Sequence, residues 1–185
     1  MNKSRQTALT STIVAVGAAS RIVLGEVALA SPTPLFGVMI KIGLTETLTI
    51  ANGLALGATA GFVTGVLIIL VSDLFILPGV WTPFIALIIG LLGFLAGISR
   101  RTFRVEASLD FAFLAVLLTV LSEFLQNLWV SVFYNVSISA TMLAGFPSLL
   151  SALVNNVVLL SLAGPRVVKL IHRSAQNLSS EAFPQ

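Results

Sequence analysis

Long apolar runs alternate with short polar or proline-containing segments along the whole chain. A helix needs about 20 mostly apolar residues to cross roughly 30 Å of hydrocarbon, and six runs have about that length. The pattern therefore predicts an all-α fold, a single integral membrane domain over residues 1–185 with six transmembrane helices. The predicted spans lie near residues 8–30, 37–56, 58–76, 83–99, 109–134 and 146–170.

Glycine recurs every fourth residue between the second and third spans, at Gly53, Gly57, Gly61 and Gly65. As a single helix, the apolar segment 36–76 would be about 60 Å long, twice the hydrocarbon thickness, so the chain must reverse within it. We expect the reversal at Gly57, because a tight turn there tolerates positive φ. The other glycines are then expected where two backbones pack closely, although a generic packing ridge is the alternative.

Composition agrees with a membrane location. Hydrophobic residues make up 57% of the chain and charged residues 9%, whereas soluble domains carry about 25% charged residues.

Cytoplasmic segments of membrane proteins carry an excess of Lys and Arg. Both termini are therefore predicted to be cytoplasmic, with the loops near 31–36, 77–82 and 135–145 outside. The basic residues behind this topology are Lys3, Arg5, Arg100, Arg101, Arg104, Arg166, Lys169 and Arg173.

The first apolar segment ends in Ala28-Leu29-Ala30, which looks like the cleavage site of a signal peptide. Arg21 and Glu26 lie between the apolar stretch and that site, so we expect the segment to be retained as the first membrane helix. The chain has no cysteine, and its single histidine, His172, lies in a basic tail. We therefore expect no disulfide, no thiolate chemistry and no metal site.

Polar side chains inside the spans are costly in hydrocarbon and by default mark functional sites. On the fifth span, polar residues fall within an arc of about 100° at 100° per residue. Polar faces also occur on the second and sixth spans. Because lipid cannot satisfy these groups, we expect them to line a pocket that opens outward, or else to pair with one another and only hold the bundle together. The fifth-span stripe is Thr119, Glu123, Gln126, Asn127 and Tyr134.

The first span presents two different surfaces. Ala8, Ala15 and Ala19 lie within about 40° of one another, whereas Arg21 points about 140° away. A smooth face of small residues suits close contact with another helix in lipid. It indicates either docking to a second membrane protein or packing inside the bundle.

Four features, taken in order, resemble a known family. They are Ala15-x-x-x-Ala19, the Gly57-x-x-x-Gly61-x-x-x-Gly65 reversal, the loop Pro78-Gly79-Val80-Trp81-Thr82-Pro83, and the glycine-rich segment 90–97 followed by Arg100-Arg101. Over residues 8–104 the chain resembles the S-components of energy-coupling factor (ECF) transporters, small six-helix membrane proteins of bacteria and archaea that bind a vitamin or other micronutrient. The Trp-Thr-Pro loop is similar to the cobalamin-type subgroup. Many members have Gly-Pro where this chain has Gly57-Ala58, and we find no pocket signature of the riboflavin, thiamine or biotin members.

The resemblance implies a mechanism in the cell membrane of a bacterium or archaeon. A micronutrient would be captured from outside in a pocket closed by the first and third loops. The protein would then dock through Ala15 and Ala19 onto a transmembrane coupling protein and topple while two ATPase subunits hydrolyse ATP. The chain has no G-x-x-x-x-G-K-[ST] motif, so we expect ATP hydrolysis to reside in those partners, with no cofactor and no nucleic acid bound here.

Seven residues are predicted to bind the substrate. The arginine and the carboxylates would form charge-assisted hydrogen bonds with a polar ligand, the amides would fix its orientation, and the tryptophan would cap it by stacking. They are Arg21, Glu46, Asp73, Trp81, Glu123, Asn127 and Asn155.

Three other classes of protein stay open on sequence alone. In a stand-alone secondary carrier or ion-coupled channel, the intramembrane acids would form a proton or cation path. In a membrane enzyme, Glu46 with Asp73 or Glu123 would act as an acid pair, although we expect no enzyme because the one histidine lies in the tail. In a purely structural scaffold, the polar side chains of the stripes would form hydrogen bonds and ion pairs with one another and would bind no ligand.

Overall fold

The computed structural model describes residues 3–30, 44–102 and 108–180, without the side chains of residues 25–30 and 175–180. These residues form six α-helices, and no strand occurs among them, which confirms the predicted helical bundle. The helices are α1 (Lys3–Ala30), α2 (Leu44–Leu56), α3 (Ala58–Ile76), α4 (Thr82–Ser99), α5 (Ser108–Tyr134) and α6 (Ile138–Ser180).

Five of these helices are long and apolar enough to cross a membrane. They are α3, α4 and α5 over their whole lengths, together with the stretches Lys3–Leu24 of α1 and Ile138–Ser174 of α6. Helix α2 has 13 residues, and the first part of its predicted span, residues 37–43 with Lys41, lies outside the described residues. The chain is therefore a multi-pass membrane protein.

The reversal between α2 and α3 occurs at Gly57, as predicted. Gly57 is the single residue between the two helices and has φ +104° with ψ 175°, a conformation that is essentially restricted to glycine. Its N–H donates to the carbonyl oxygen of Gly53 at 2.8 Å, and its own carbonyl oxygen accepts from the N–H of Gly61 at 3.0 Å. The turn therefore continues the hydrogen-bonding pattern of the helices on either side.

Helices α2, α3 and α4 pack with their backbones in direct contact. A Cβ atom added to Gly53 or Gly61 would lie less than 3.0 Å from the carbonyl oxygen of Gly93 in α4. A Cβ on Gly65 would lie 2.6 Å from the carbonyl oxygen of Ile89. Small residues permit this approach where van der Waals packing holds helices together in lipid. The glycine ridge is thus a packing surface, as expected.

Helices α5 and α6 form an antiparallel hairpin that contacts α4 through α5 and α2 through α6. The core between the hairpin and the other helices is apolar. It includes the buried side chains of Ile50, Leu54, Leu92, Phe111, Leu114, Leu118, Leu160 and Val168.

Helix α6 begins at Ile138, eight residues before the predicted sixth span, so most of the predicted outer loop 135–145 is helical. Ser137 causes the early start, because its Oγ accepts a hydrogen bond from the N–H of Ala140 at 3.3 Å, the arrangement of a helix N-cap. The tight turn before it contains Asn135 with φ +53°, a left-handed conformation that asparagine tolerates.

Helix α6 also contains Pro165, which has no N–H to donate to the carbonyl oxygen of Ser161 one turn earlier. The hydroxyl of Ser108, the first residue of α5, donates to that carbonyl oxygen at 2.9 Å. A side chain of one helix thus replaces the backbone donor that the other helix lacks.

Candidate functional site

The Arg21 and Asp73 side chains form an ion pair between α1 and α3. The Asp73 side chain is 3% exposed and that of Arg21 is 27% exposed. Arg21 Nη1 donates to Asp73 Oδ1 and also to Ser72 Oγ at 2.6 Å. The second carboxylate oxygen of Asp73 accepts from Thr82 Oγ1 at 2.6 Å. Both oxygens of this buried carboxylate therefore have partners inside the protein.

The loop between α3 and α4 is attached to the same carboxylate. Thr82 Oγ1, besides donating to Asp73, accepts a hydrogen bond from the N–H of Gly79 at 3.1 Å. Trp81 belongs to this loop, and its indole ring covers Gly79 so closely that a Cβ there would lie 2.5 Å from the ring. Trp81 is 37% exposed. The predicted residues Arg21, Asp73 and Trp81 are thus brought to one end of α3.

A second polar cluster lies among α2, α5 and α6. Asn156 Nδ2 donates to Glu46 Oε2 and, at 2.9 Å, to Thr119 Oγ1. Asn156 is 3% exposed, and its Oδ1 is buried without a hydrogen-bond partner among the described residues. The residue predicted from the sequence to bind substrate is the neighbouring Asn155, which is only partly buried. Asn156 is therefore the amide that connects three helices at this level.

The polar stripe of α5 leads from this cluster to a pocket. Thr119, Glu123 and Asn127 are spaced four residues apart and so follow one another along one face of the helix. Glu123 is 5% exposed. Asn127 Nδ2 donates to the carbonyl oxygen of Glu123 at 2.8 Å. The stripe thus connects the Asn156 cluster to the pocket between α5 and α6.

That pocket has a volume of about 310 Å³. Most of its wall is apolar, and Glu123 and Asn127 are its polar groups. A Cβ atom on Gly145 of α6 would lie 2.7 Å from Asn127 Oδ1 and 2.9 Å from Nδ2, so the glycine leaves the space that the amide occupies. The lining residues are Leu117, Val120, Leu121, Glu123, Phe124, Asn127, Met142, Gly145 and Leu149.

An aromatic cluster joins the ends of α4 and α5, and of its members only Tyr134 was singled out from the sequence. Trp129 contacts Phe84 with ring centroids 5.2 Å apart, and it stacks on Phe133 at 5.1 Å and 20°. Tyr134 meets the edge of Trp129 at 6.2 Å. The indole N–H of Trp129 is buried with no acceptor among the described residues. Phe84, Trp129 and Phe133 lie inside apolar runs, where the sequence does not distinguish them from ordinary core residues.

The predicted site residues thus fall into separate groups. Arg21, Asp73 and Trp81 meet near the end of α3, Glu46 contacts Asn156, and Glu123 and Asn127 line the pocket. Of the acids considered as a pair with Glu46, Asp73 forms its ion pair with Arg21. Ala8, Ala15 and Ala19 are exposed on α1, whereas Val14, Gly17 and Ala18 face the bundle.

The family model described as ECF-type riboflavin transporter, S component, matches residues 5–171. This match extends over α5 and α6, well beyond the region that carried the sequence resemblance. It gives no support to the cobalamin-type subgroup suggested by the Trp81 loop. It assigns the chain to the riboflavin members, although the sequence shows none of their pocket signatures. The chain has no match among curated proteins or among solved structures. Because the family model covers most of its length, the chain belongs to the S components of ECF-type riboflavin transporters, a family of vitamin-transporter membrane subunits and not of enzymes.

Proposed function

We propose that the protein binds riboflavin, or a micronutrient of similar size and ring structure, in the pocket between α5 and α6. The observation that carries the proposal is the pocket itself. Its volume of about 310 Å³ falls at the lower end of the range for small-molecule sites, which are mostly apolar with a few placed polar groups. Glu123 and Asn127 supply those polar groups.

The chemistry of the lining suits a flat heteroaromatic ligand with polar edges. Leucine, valine, phenylalanine and methionine side chains would cover the ring system. A carboxylate accepts hydrogen bonds from ring N–H or hydroxyl groups, and an amide both donates and accepts. The buried Asn156 Oδ1 lies outside the pocket lining and lacks a donor among the described residues, so a bound water would satisfy it.

Riboflavin binding to the purified protein tests this site. Titration should quench riboflavin fluorescence, and the Glu123→Ala/Asn127→Ala variant should bind at least about tenfold more weakly, since hydrogen bonds to charged groups contribute roughly 1.5–3 kcal/mol. The matched control is Ser122→Ala/Gln126→Ala on the same helix, which removes a 3.0 Å side-chain hydrogen bond outside the pocket lining. Parental affinity in the Glu123→Ala/Asn127→Ala variant would remove these two residues from the site.

Energy for import would come from partners. In the proposed cycle the α1 face of Ala8, Ala15 and Ala19 docks onto a transmembrane coupling protein, and two ATPase subunits hydrolyse ATP as the protein topples in the membrane. The exposure of these alanines on α1 supports this part of the proposal. The cell would be a bacterium or archaeon, with the protein in its cell membrane and the pocket facing outward.

Co-purification with the coupling protein tests the docking face. Ala15→Leu/Ala19→Leu should abolish recovery of the complex because the larger side chains separate the helices. The control is Ala140→Leu/Ala144→Leu, a pair with the same spacing on an exposed part of α6. Retention of the complex by the α1 variant would refute this docking surface. Riboflavin uptake by the chain alone, driven by an ion gradient in vesicles, would instead support a secondary carrier.

A further inference from the structure

One buried carboxylate connects α1 to the loop that joins α3 and α4. Asp73 accepts hydrogen bonds from Arg21 of α1 on one oxygen and from Thr82, the first residue of α4, on the other. Thr82 in turn holds the N–H of Gly79 inside the loop. Among the described residues, Arg21 is therefore connected to this loop through Asp73 and Thr82.

We propose that Arg21 and Asp73 are positioning residues that hold the loop 77–81 in place, so that the position of the loop depends on the position of α1 against α3. Gly17 lies one helical turn before Arg21, and its missing side chain lets α1 pack against Ile68 of α3. The same packing that brings these two helices together thus places the guanidinium on the carboxylate.

The energetic basis is the cost of leaving a buried charge alone. Removing one partner of a buried ion pair is strongly destabilising, because the other charge stays desolvated. If α1 moves away from α3, Asp73 keeps only the Thr82 hydroxyl as a described donor, and the carboxylate must gain water or new donors. The loop residues that cover it must then shift. Because the coupling is reciprocal, opening of the loop also weakens the contact of α1 with α3.

This link joins the helix that carries the proposed docking face to the loop 77–81. Ala15 and Ala19 lie on the exposed face of α1 and Arg21 lies on the bundle side. A partner that binds the alanine face of α1 and displaces this helix would therefore also move the loop. That consequence rests on the proposed function, whereas the coupling of Arg21 to the loop can be measured without ligand or partner.

Trp81 reports the position of the loop. The chain contains two tryptophans, so in a Trp129→Phe background Trp81 is the only one, and its quenching by acrylamide measures its exposure. The test variant is Arg21→Met/Asp73→Asn, which removes both charges together and so avoids a lone buried ion. The matched control is Ser20→Ala, whose hydroxyl donates only within α1, to Gly17 at 2.8 Å.

We expect the quenching constant of Trp81 to rise in the Arg21→Met/Asp73→Asn variant, by at most about 2.7-fold because Trp81 is already 37% exposed. The Ser20→Ala control should match the parent. Thr82→Val should give a similar rise, and adding it to the double variant should give no further rise, because both act on one chain of contacts. Arg21→Lys, which keeps the charge, should restore most of the parental value.

Parental quenching in the double variant would overturn the proposal, as would full additivity with Thr82→Val. If the double variant does not fold, as judged by helical circular dichroism, Arg21→Gln takes its place. Parental quenching of Trp81 in that variant would likewise overturn the proposal. A protein that binds no riboflavin would refute the proposed function while leaving the Trp81 measurement intact.

Discussion

Gly61 and Gly93 face each other across the α3–α4 interface so closely that a methyl group on either would stand less than 3.0 Å from the carbonyl oxygen of the other. Backbone atoms within helices cannot move aside as a flexible side chain can. The two helices are therefore closer at this level than a side chain on either residue would allow.

Gly61→Ala should destabilise the protein even though alanine is the better helix former by about 1 kcal/mol. Overpacking of a tight contact costs about 1–3 kcal/mol, and the backbone contact places this site at the upper end. The measurement is the free energy of unfolding in mixed micelles. Val63→Ile, which adds one carbon atom at an exposed position of the same helix, is the control, and equal stability of both variants would contradict the tight interface.

Asn156→Ala should lower the free energy of unfolding by about 1–3 kcal/mol, because it leaves the partly buried Glu46 carboxylate and the buried Thr119 hydroxyl without this donor. Asn155→Ala should cost less, since that residue is only partly buried. Unfolding of the two variants under identical conditions checks this. A larger loss for Asn155→Ala would mean that the sequence-based choice of Asn155 identified the more important amide.

Ser108→Ala should cost about 0.5–1 kcal/mol, the net value of an exposed or partly exposed hydrogen bond. The cost should disappear in a Pro165→Ala background, because alanine restores the N–H that serves the Ser161 carbonyl oxygen within α6. A double-mutant cycle on unfolding free energies measures this coupling. Identical costs in both backgrounds would show that Ser108 does not substitute for the missing helical donor.

Gly145→Ala should weaken riboflavin binding by displacing the Asn127 amide, which lies 2.7–2.9 Å from the position of the new Cβ. The expected loss is about tenfold, comparable to losing one good hydrogen bond with the ligand. Fluorescence titration gives the affinity, and Ala144→Val on the exposed side of α6 serves as the control. Unchanged affinity would place the ligand away from Asn127.

Much of the fold could be predicted because the hydrocarbon thickness limits each helix. The segment 36–76 was too long for one crossing, which required a reversal, and Gly57 was the residue able to make it. The start of α6 could not be predicted in the same way. It depends on the cap formed by Ser137 and the left-handed Asn135, a local signal of three residues beside an apolar run.

The candidate site was less predictable, because contacts depend on helix rotation. One residue along a helix turns the side chain by about 100°, so the sequence alone did not show that Asn156 is the amide that contacts Glu46 and Thr119. The need of Arg21 and Asp73 for partners followed from their location in a membrane, yet their pairing depends on α1 lying against α3. Trp129 gave no signal because an aromatic residue inside an apolar run looks like any other core residue.

The glycine contacts of α2, α3 and α4 make this part of the protein more tightly packed than the α5–α6 hairpin. Helices that touch backbone to backbone leave no free volume and so deform little under load. The α5–α6 hairpin, which holds about 310 Å³ of open space, is the compliant side of the molecule. We expect any change in pocket volume on ligand binding to be taken up there and not among the glycine-packed helices.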